Sequence, residues 1–190
     1  MRVLLVDEDM ERAEGLKTAL RAAGCTLSAH VHTPENLLAH VQEIAPDMII
    51  IERDSPDRDT LEHVCSVTRD APRPIVLFTH DNDRVSIQAA VKAGVSAYVV
   101  GGVHTGRIRS IMDVALAQFQ AFQKMRQERD VARNSLAERK LIERAKGIVG
   151  RQRGVGEDEA YALLRKLAMD RNQRIGQVAE NVIALAELLT

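Results

Sequence analysis

The sequence predicts a doubly wound α/β domain, a (βα) unit repeated five times around a parallel sheet, followed by a long helix and a small all-α three-helix bundle. Three observations carry this. Short, wholly apolar runs alternate with helical stripes through the first 100 residues. No proline interrupts the chain from Thr105 to about Val149. Gly154-Val155-Gly156 then breaks the helical pattern ahead of two further amphipathic stretches. Strands that are apolar on both faces must be covered on both, and helices flanking a parallel sheet do this.

The elements follow in order. Val3–Val6 is the first strand. Met10–Ala23 is a helix with Ala13, Leu16, Ala19, Leu20 and Ala23 on one stripe, stopped by Gly24. Thr26–Val31 is a weaker strand, and Pro34–Ile44 a helix with proline at its start. Met48–Ile51 is a buried strand, Arg58–Thr68 a helix and Pro74–Thr79 a strand. Arg84–Ala93 is a helix ended by Gly94, and Ser96–Val100 is the fifth strand. The fifth helix carries Met112, Ala115, Phe119 and Phe122 at 3–4 spacing, then turns polar through Gln123–Arg133. That polar stretch suits a short dimer coiled coil or a helical linker. The stripe resumes at Leu136, Leu141, Ile142, Ala145, Ile148 and Val149. Glu157–Met169 is a second bundle helix with acidic residues at its start, as the macrodipole favours. Ile175, Val178, Ala179, Val182, Ile183, Ala186 and Leu189 mark the third. The boundaries expected are therefore 1–120, 121–134 and 135–190.

Composition narrows the classes. Hydrophobic residues are 45% and charged residues 28% of 190, values of a globular chain rather than a disordered one. No apolar run approaches the roughly 20 residues of a membrane helix. The start, Met1-Arg2-Val3-Leu4-Leu5-Val6-Asp7-Glu8-Asp9, turns acidic too soon for a signal peptide. Cys25 and Cys65 make no disulfide framework, fit a reducing cytoplasm and are expected to be buried or inert. With two Tyr, three Phe and no Trp, an aromatic ligand cage is not expected. The net charge of −1 hides an asymmetry. Residues 1–128 carry 14 basic and 18 acidic groups, and residues 129–190 carry 12 and 9. Within Arg139–Arg153, six cations face Glu143 alone. Such a segment suits a polyanion partner or, equally, a solvated helix face.

In open parallel sheets, functional groups collect at the carboxyl ends of the strands. Strand one ends in Asp7-Glu8-Asp9, strand three in Glu52, strand four in Thr79 and strand five in Gly101-Gly102. This set resembles the receiver domain of bacterial two-component response regulators, the CheY-like fold. Asp7 and Glu8 match that family's acidic pair, Thr79 its hydroxyl and Tyr98 its aromatic switch position. Two positions depart from it. Four residues before Pro56 stands Glu52 where the family has its phospho-accepting Asp, while Asp54 is out of register. The family's Lys-Pro position reads Gly101-Gly102, and no replacement cation is evident. An extra methylene moves the carboxylate by about 1.5 Å. The expectation is a degenerate phosphoreceiver at Asp7, Glu8, Glu52, Thr79 and Gly101, with no catalytic residue, no cofactor and no metal.

The stretch Leu136-Ala137-Glu138-Arg139-Lys140-Leu141-Ile142-Glu143-Arg144-Ala145-Lys146-Gly147-Ile148 resembles the opening of an ANTAR domain, the RNA-binding module of the AmiR and NasR antiterminators. Asp158–Met169 matches its second helix, and Val178-Ala179 its third. Gly150 departs from the family, which often has Met there. Ser55-Pro56-Asp57-Arg58-Asp59 and Arg73-Pro74-Ile75-Val76 point to the NasT branch, the nitrate-assimilation antiterminators.

This resemblance implies a cytoplasmic, dimeric, non-enzymatic regulator that binds hairpin RNA in nascent leader transcripts and prevents termination. It also implies a nitrate-sensing, NasS-like regulatory protein as partner. Candidate RNA contacts are Arg139, Lys140, Arg144, Lys146, Gly147, Arg151, Arg153, Tyr161 and Arg165. RNA loops present phosphates and unstacked bases, which Arg, Lys and stacking groups meet. Arg139, Lys146 and Arg153 are seven apart and share a face if the helix continues. Gly147 costs about 1 kcal/mol inside a helix; close approach of a neighbouring helix is favoured over close approach of RNA. Tyr161 is expected in the core with Leu164 and Ala168, ahead of a stacking role. The rival is a phosphorylation-dependent DNA-binding response regulator, which needs a polar recognition helix; Ile175–Leu189 has no Lys or Arg. His30-x-His32 lacks further partners at metal-site spacing.

Overall fold

The computed structural model describes residues 1–101 and 105–188, so Gly102 and Leu189 of the sequence pattern lie outside the described residues. Five strands, β1 (Arg2–Asp7), β2 (Thr26–Val31), β3 (Met48–Glu52), β4 (Ile75–Thr79) and β5 (Ala97–Val100), form one parallel sheet in the order β2-β1-β3-β4-β5. The helices are α1 (Met10–Ala22), α2 (Leu37–Ile44), α3 (Arg58–Asp70), α4 (Arg84–Ala93), α5 (Ile108–Arg153), α6 (Glu157–Asp170) and α7 (Ile175–Leu188). The expected α/β fold followed by a long helix and further helices is present. The chain divides into two compact units, Met1–Gln123 and Lys124–Thr190.

The apolar strands are apolar because each face meets its own helical layer. Val3, Leu5, Met48, Ile50, Val76 and Phe78 bury against α1 and the start of α5. Their sequence neighbours Leu4, Val6, Ile49, Ile51, Ile75 and Leu77 bury against α2, α3 and α4. The side-chain period of two in a strand sorts them. Strand β2 is an edge and only half-buried, which is why its pattern is weak. In the second unit the end of α5 packs with α6 and α7 around Ala145, Leu164, Ala168, Val178, Ala179 and Ile183.

Most elements end within two residues of the sequence reading, and helices α2 and α5 depart from it furthest. Helix α2 starts at Leu37, not Pro34. The Pro34 carbonyl accepts from the Leu37 amide at 3.0 Å, and Asn36 sits at φ 57°, so the chain turns before it can coil. The fifth helix begins at Ile108 after a 3-10 turn, Thr105–Arg107, and continues past Val149 to Arg153.

Helix α4 ends at Gly94 with φ +104°. A Cβ there would lie 2.6 Å from Thr68 Cγ2 and Oγ1. Strain and clash together predict that Gly94→Ala destabilises the chain by roughly 1–3 kcal/mol. Gly15, inside α1 with open space around it, is the control; Gly15→Ala is expected to stabilise by about 0.5–1 kcal/mol. Urea unfolding of the two variants distinguishes them, and equal midpoints would refute the assignment.

Candidate functional site

The register of the sheet places Asp7 beside Glu52 and Glu52 beside Phe78, with Thr79 the next residue of β4. Asp7, Glu52 and Thr79 thus meet at the carboxyl edge, with 1%, 4% and 2% exposure. Asp54 lies two residues beyond β3, and its side chain is 78% exposed. The Thr79 hydroxyl donates to the Asp54 carbonyl at 2.8 Å and accepts from the Asp81 amide at 3.1 Å. The Tyr98 hydroxyl donates to the Asp81 carbonyl at 2.9 Å. Gly101 donates its amide to the Thr79 carbonyl at 3.1 Å and brings no charge to the edge.

A cation is nevertheless present, contrary to expectation, and it comes from α1. Asp9 caps that helix, its carboxylate accepting from the amides of Glu11 at 2.9 Å and Arg12 at 3.1 Å. Arg12 is therefore in the first turn, where side chains lean back toward the helix N-terminus, here toward the strand ends. Its Nη2 donates to Asp7 Oδ1 at 2.9 Å, its Nε to Asp7 Oδ2 at 3.4 Å and its Nη1 to Asp54 Oδ1 at 2.7 Å. Glu52 Oε1 is 3.7 Å from its Nε. A cation in a helix's first turn opposes the macrodipole at a cost of about 0.3–1 kcal/mol, which contact with three carboxylates offsets. That misplacement, one turn after Asp7-Glu8-Asp9, is the signal in the sequence that locates Arg12. Glu8 is turned aside and bound by Arg53, whose Nη1 also donates to Thr60 Oγ1 at 3.0 Å. His80 Nδ1 lies 3.4 Å from Asp54.

Electrostatics at the edge are uneven. Among the described residues, Glu52 Oε2 is buried with no hydrogen-bond partner. Burial, then the neighbouring Asp7 carboxylate, pushes the Glu52 carboxyl up to about 7, with Arg12 opposing only in part. The hydrogen bond to Asp7 raises the Arg12 guanidinium further still, so it remains charged. A divalent cation of the Mg²⁺ type, which receivers hold at this edge, requires a shell of about six oxygen ligands, several of them ionised carboxylates. These residues do not fit one. Both Asp7 oxygens are engaged by Arg12, Glu8 is held by Arg53, and burial pushes Glu52 toward its neutral form.

The second unit carries the basic residues. Lys140, Arg144, Gly147 and Arg151 recur at helical spacing on the face of α5 away from buried Ala145, and all four are exposed. Arg139, Lys146 and Arg153 do lie on one continuous helix. Arg144 pairs with Glu187 at 2.7 Å, and Lys146 with Glu143 at 3.0 Å and Glu157 at 3.3 Å. Among the described residues, Arg139, Lys140, Arg151, Arg153 and Arg165 have no ion-pair partner.

Three expectations are corrected. Gly147 is exposed, and a Cβ there would meet only Arg151 Nη1, at 3.9 Å, so helix packing does not explain it. Gly176 is more tightly packed, since a Cβ there would lie 2.7 Å from Glu138 Oε1. Tyr161 is 42% exposed and outside the core, because Ala160 takes the buried position one turn before Leu164. Cys65 is exposed rather than buried, while Cys25 is half-buried and its thiol pushed up by burial. Arg165, one turn from Tyr161, is exposed as expected. His30 Nε2 lies 3.0 Å from the Asp7 carbonyl, a structural hydrogen bond, and its ring stacks edgewise on His32 at 4.9 Å.

Comparison with known proteins agrees with this geometry. The response regulator receiver domain matches residues 3–113, more than half of the chain, and the ANTAR domain matches residues 130–183. The chain belongs to the response regulator receiver family and carries an ANTAR domain as its second module. It is 26% identical to the transcriptional regulatory protein PdtaR of Mycobacterium tuberculosis over 182 residues, 96% of this chain and 89% of that protein. It is 41% identical to the nitrate regulatory protein of Klebsiella oxytoca over 56 residues, 30% of this chain and 14% of that one. The solved receiver domain of a modulated diguanylate cyclase from Desulfovibrio desulfuricans superposes with a TM-score of 0.56 at 17% identity, covering 63% of this chain and 96% of its own, a likeness of fold alone. Among the described residues, no helix is long and apolar enough to cross a membrane.

The raised Glu52 carboxyl makes stability pH-dependent. Because the folded value exceeds the unfolded one, the native state binds the extra proton between the two, and stability falls as pH rises toward and through about 7. Glu52→Gln removes this dependence. The difference in urea midpoint between variant and wild type is expected to grow in the variant's favour from pH 5 to pH 8, and a constant difference would contradict the burial argument.

Proposed function

We propose that this chain is a cytoplasmic, homodimeric transcription antitermination regulator that binds hairpin RNA in nascent leader transcripts through residues 135–190, without catalysis. One observation carries the reading: an ANTAR module whose exposed cations Arg139, Lys140, Arg151, Arg153 and Arg165 are unpaired among the described residues and accompanied by exposed Tyr161. Phosphates need such cations, and an unstacked loop base can lie on an exposed aromatic ring or a guanidinium plane. Arg144 and Lys146 belong to the same surface but share their charge with carboxylates. Gly147, bare on the outward face, leaves room for a sugar-phosphate chain. A DNA-reading alternative lacks a basic recognition helix, since α7 contains neither Lys nor Arg.

Control of nitrate or nitrite assimilation, with a NasS-like nitrate-sensing protein as regulatory partner, is the specific role we favour. Support comes from the NasT-like motifs in the sequence and from the short match to a nitrate regulatory protein. In the first module, 1–120, the site at Asp7, Glu8, Glu52, Thr79 and Gly101 acts as a degenerate phosphoreceiver, and 121–134 as a linker or coiled coil. Glu52 stands at the acceptor register, with its carboxyl pushed by burial toward its neutral form.

Two measurements test this. Incubation with acetyl phosphate and Mg²⁺ is expected to leave the intact mass unchanged; a gain abolished by Glu52→Gln or Asp54→Ala would overturn the degenerate site. For RNA, the full chain is expected to prefer a hairpin over duplex DNA of equal length. Arg151→Ala and Arg165→Ala should each weaken binding and lower the salt slope by roughly 0.7–0.9 for every phosphate that is no longer neutralised. Equal affinity for duplex DNA, or full antitermination by the double variant in a leader–reporter assay, would place recognition elsewhere.

A further inference from the structure

We infer that the groove between the end of α5, α6 and α7 is a binding site for a small apolar anion, a hydrocarbon body carrying one negatively charged head. The groove lies wholly within the second unit, and the inference depends on neither the receiver edge nor RNA binding.

Shape sets the body of the ligand. Val149, Leu164, Leu167 and Val182 form an apolar wall, drawn from all three helices and continuous with the core of the bundle. The volume enclosed is about 350 Å³. Small-molecule sites span roughly 300–1,000 Å³, are concave and mostly apolar, and carry a few polar groups. The wall reaches the surface through Leu163 and Leu185, which are 40% and 59% exposed. An apolar ligand lying on them removes that surface from water.

Charge sets the head. Arg153 and Lys166 border the groove against one carboxylate, Asp170. Among the described residues, neither cation has an ion-pair partner, whereas Arg144 and Lys146 of the same unit are matched by Glu187, Glu143 and Glu157. Arginine and lysine lay their aliphatic stems along apolar surface and keep their heads in water. Here the stems extend the wall and the heads set positive charge at its mouth. A cationic amphiphile meets repulsion there, and a carboxylate head finds a charge-assisted hydrogen-bond donor. Arg153 also belongs to the basic surface described above. Lys166 does not, so it reports on the groove alone.

The test uses the full chain with decanoate below its micelle concentration, and decylamine as the cation of equal chain length. Calorimetry should show saturable uptake of decanoate and much weaker uptake of decylamine. Decanoate should shift the methyl resonances of Leu163, Val182 and Leu185. Lys166→Gln should weaken decanoate binding roughly two- to fivefold, the range of an exposed ion pair. Leu185→Glu, which sets a carboxylate at an exposed rim position, should abolish it. Should Leu185→Glu fail to fold, Lys166→Gln and the methyl shifts decide the matter. Equal uptake of decylamine, an unchanged affinity in Lys166→Gln, or shifts confined to the first unit would each overturn the inference. So would a wild type that takes up no decanoate. If Leu185→Glu then also breaks self-association, the groove belongs to a second copy of the chain.

Discussion

The Asp7–Arg12 contact governs the receiver edge. Asp7 is almost closed to solvent and ends a central strand, so its charge needs a partner close at hand. Arg12 supplies it at 2.9 Å, and in doing so is placed to reach Asp54 and to approach Glu52. The position of α1, the cap at Asp9 and the turn of Glu8 toward Arg53 all accord with that arrangement. Receiver chemistry depends on an acidic edge that is open to a cation from solution. Here the edge is neutralised from within by one guanidinium, and the carboxyl at the acceptor register is driven toward its neutral form by burial.

The second module is built on a different balance. Its core is small, made of Ala145, Ala168, Ala179, Val178, Leu164 and Ile183, with larger apolar side chains such as Leu141, Ile148 and Leu167 packed against it. Gly176 lies under the Glu138 side chain, where a Cβ would meet it at 2.7 Å. The cations remain on the surface because no buried acidic group calls them in, and between Arg139 and Arg153 it is Arg144 and Lys146 that are drawn to carboxylates. Surface pairs of this kind contribute little stability, which leaves the basic surface available to a polyanion. Helix α5 serves both modules in sequence, giving Ile108, Met112 and Ala115 to the first core and Ala145 to the second.

The fold is legible in the sequence because its determinants are local and repeated. Apolar runs at Leu4–Val6, Met48–Ile51 and Ile75–Phe78 announce strands buried on both faces, and helical stripes with capping residues announce the layers. Ambiguous local patterns misplace some residues. Pro34 suits a helix start, but Asn36 in a left-handed conformation delays α2 to Leu37. Tyr161 shares an apolar stripe with Leu164, yet the crossing of α6 over its neighbours selects Ala160 as the inward residue. Gly147 suggests packing, and its helix face is the outer one.

The sequence by itself determined the strand-and-helix order, the placement of Asp7, Glu52 and Thr79 at strand ends, and the concentration of positive charge near Arg139–Arg153, since all of these follow from pattern along the chain. Only the tertiary structure decided which charges meet. Arg12 and Asp54 are 42 positions apart, and nothing in their spacing joins them. Parallel register sets β1 against β3, the N-terminal cap of α1 aims Arg12 at that junction, and burial raises one carboxyl while ion pairing holds another. Distance and burial fix electrostatic partners, and both exist only once the sheet has assembled.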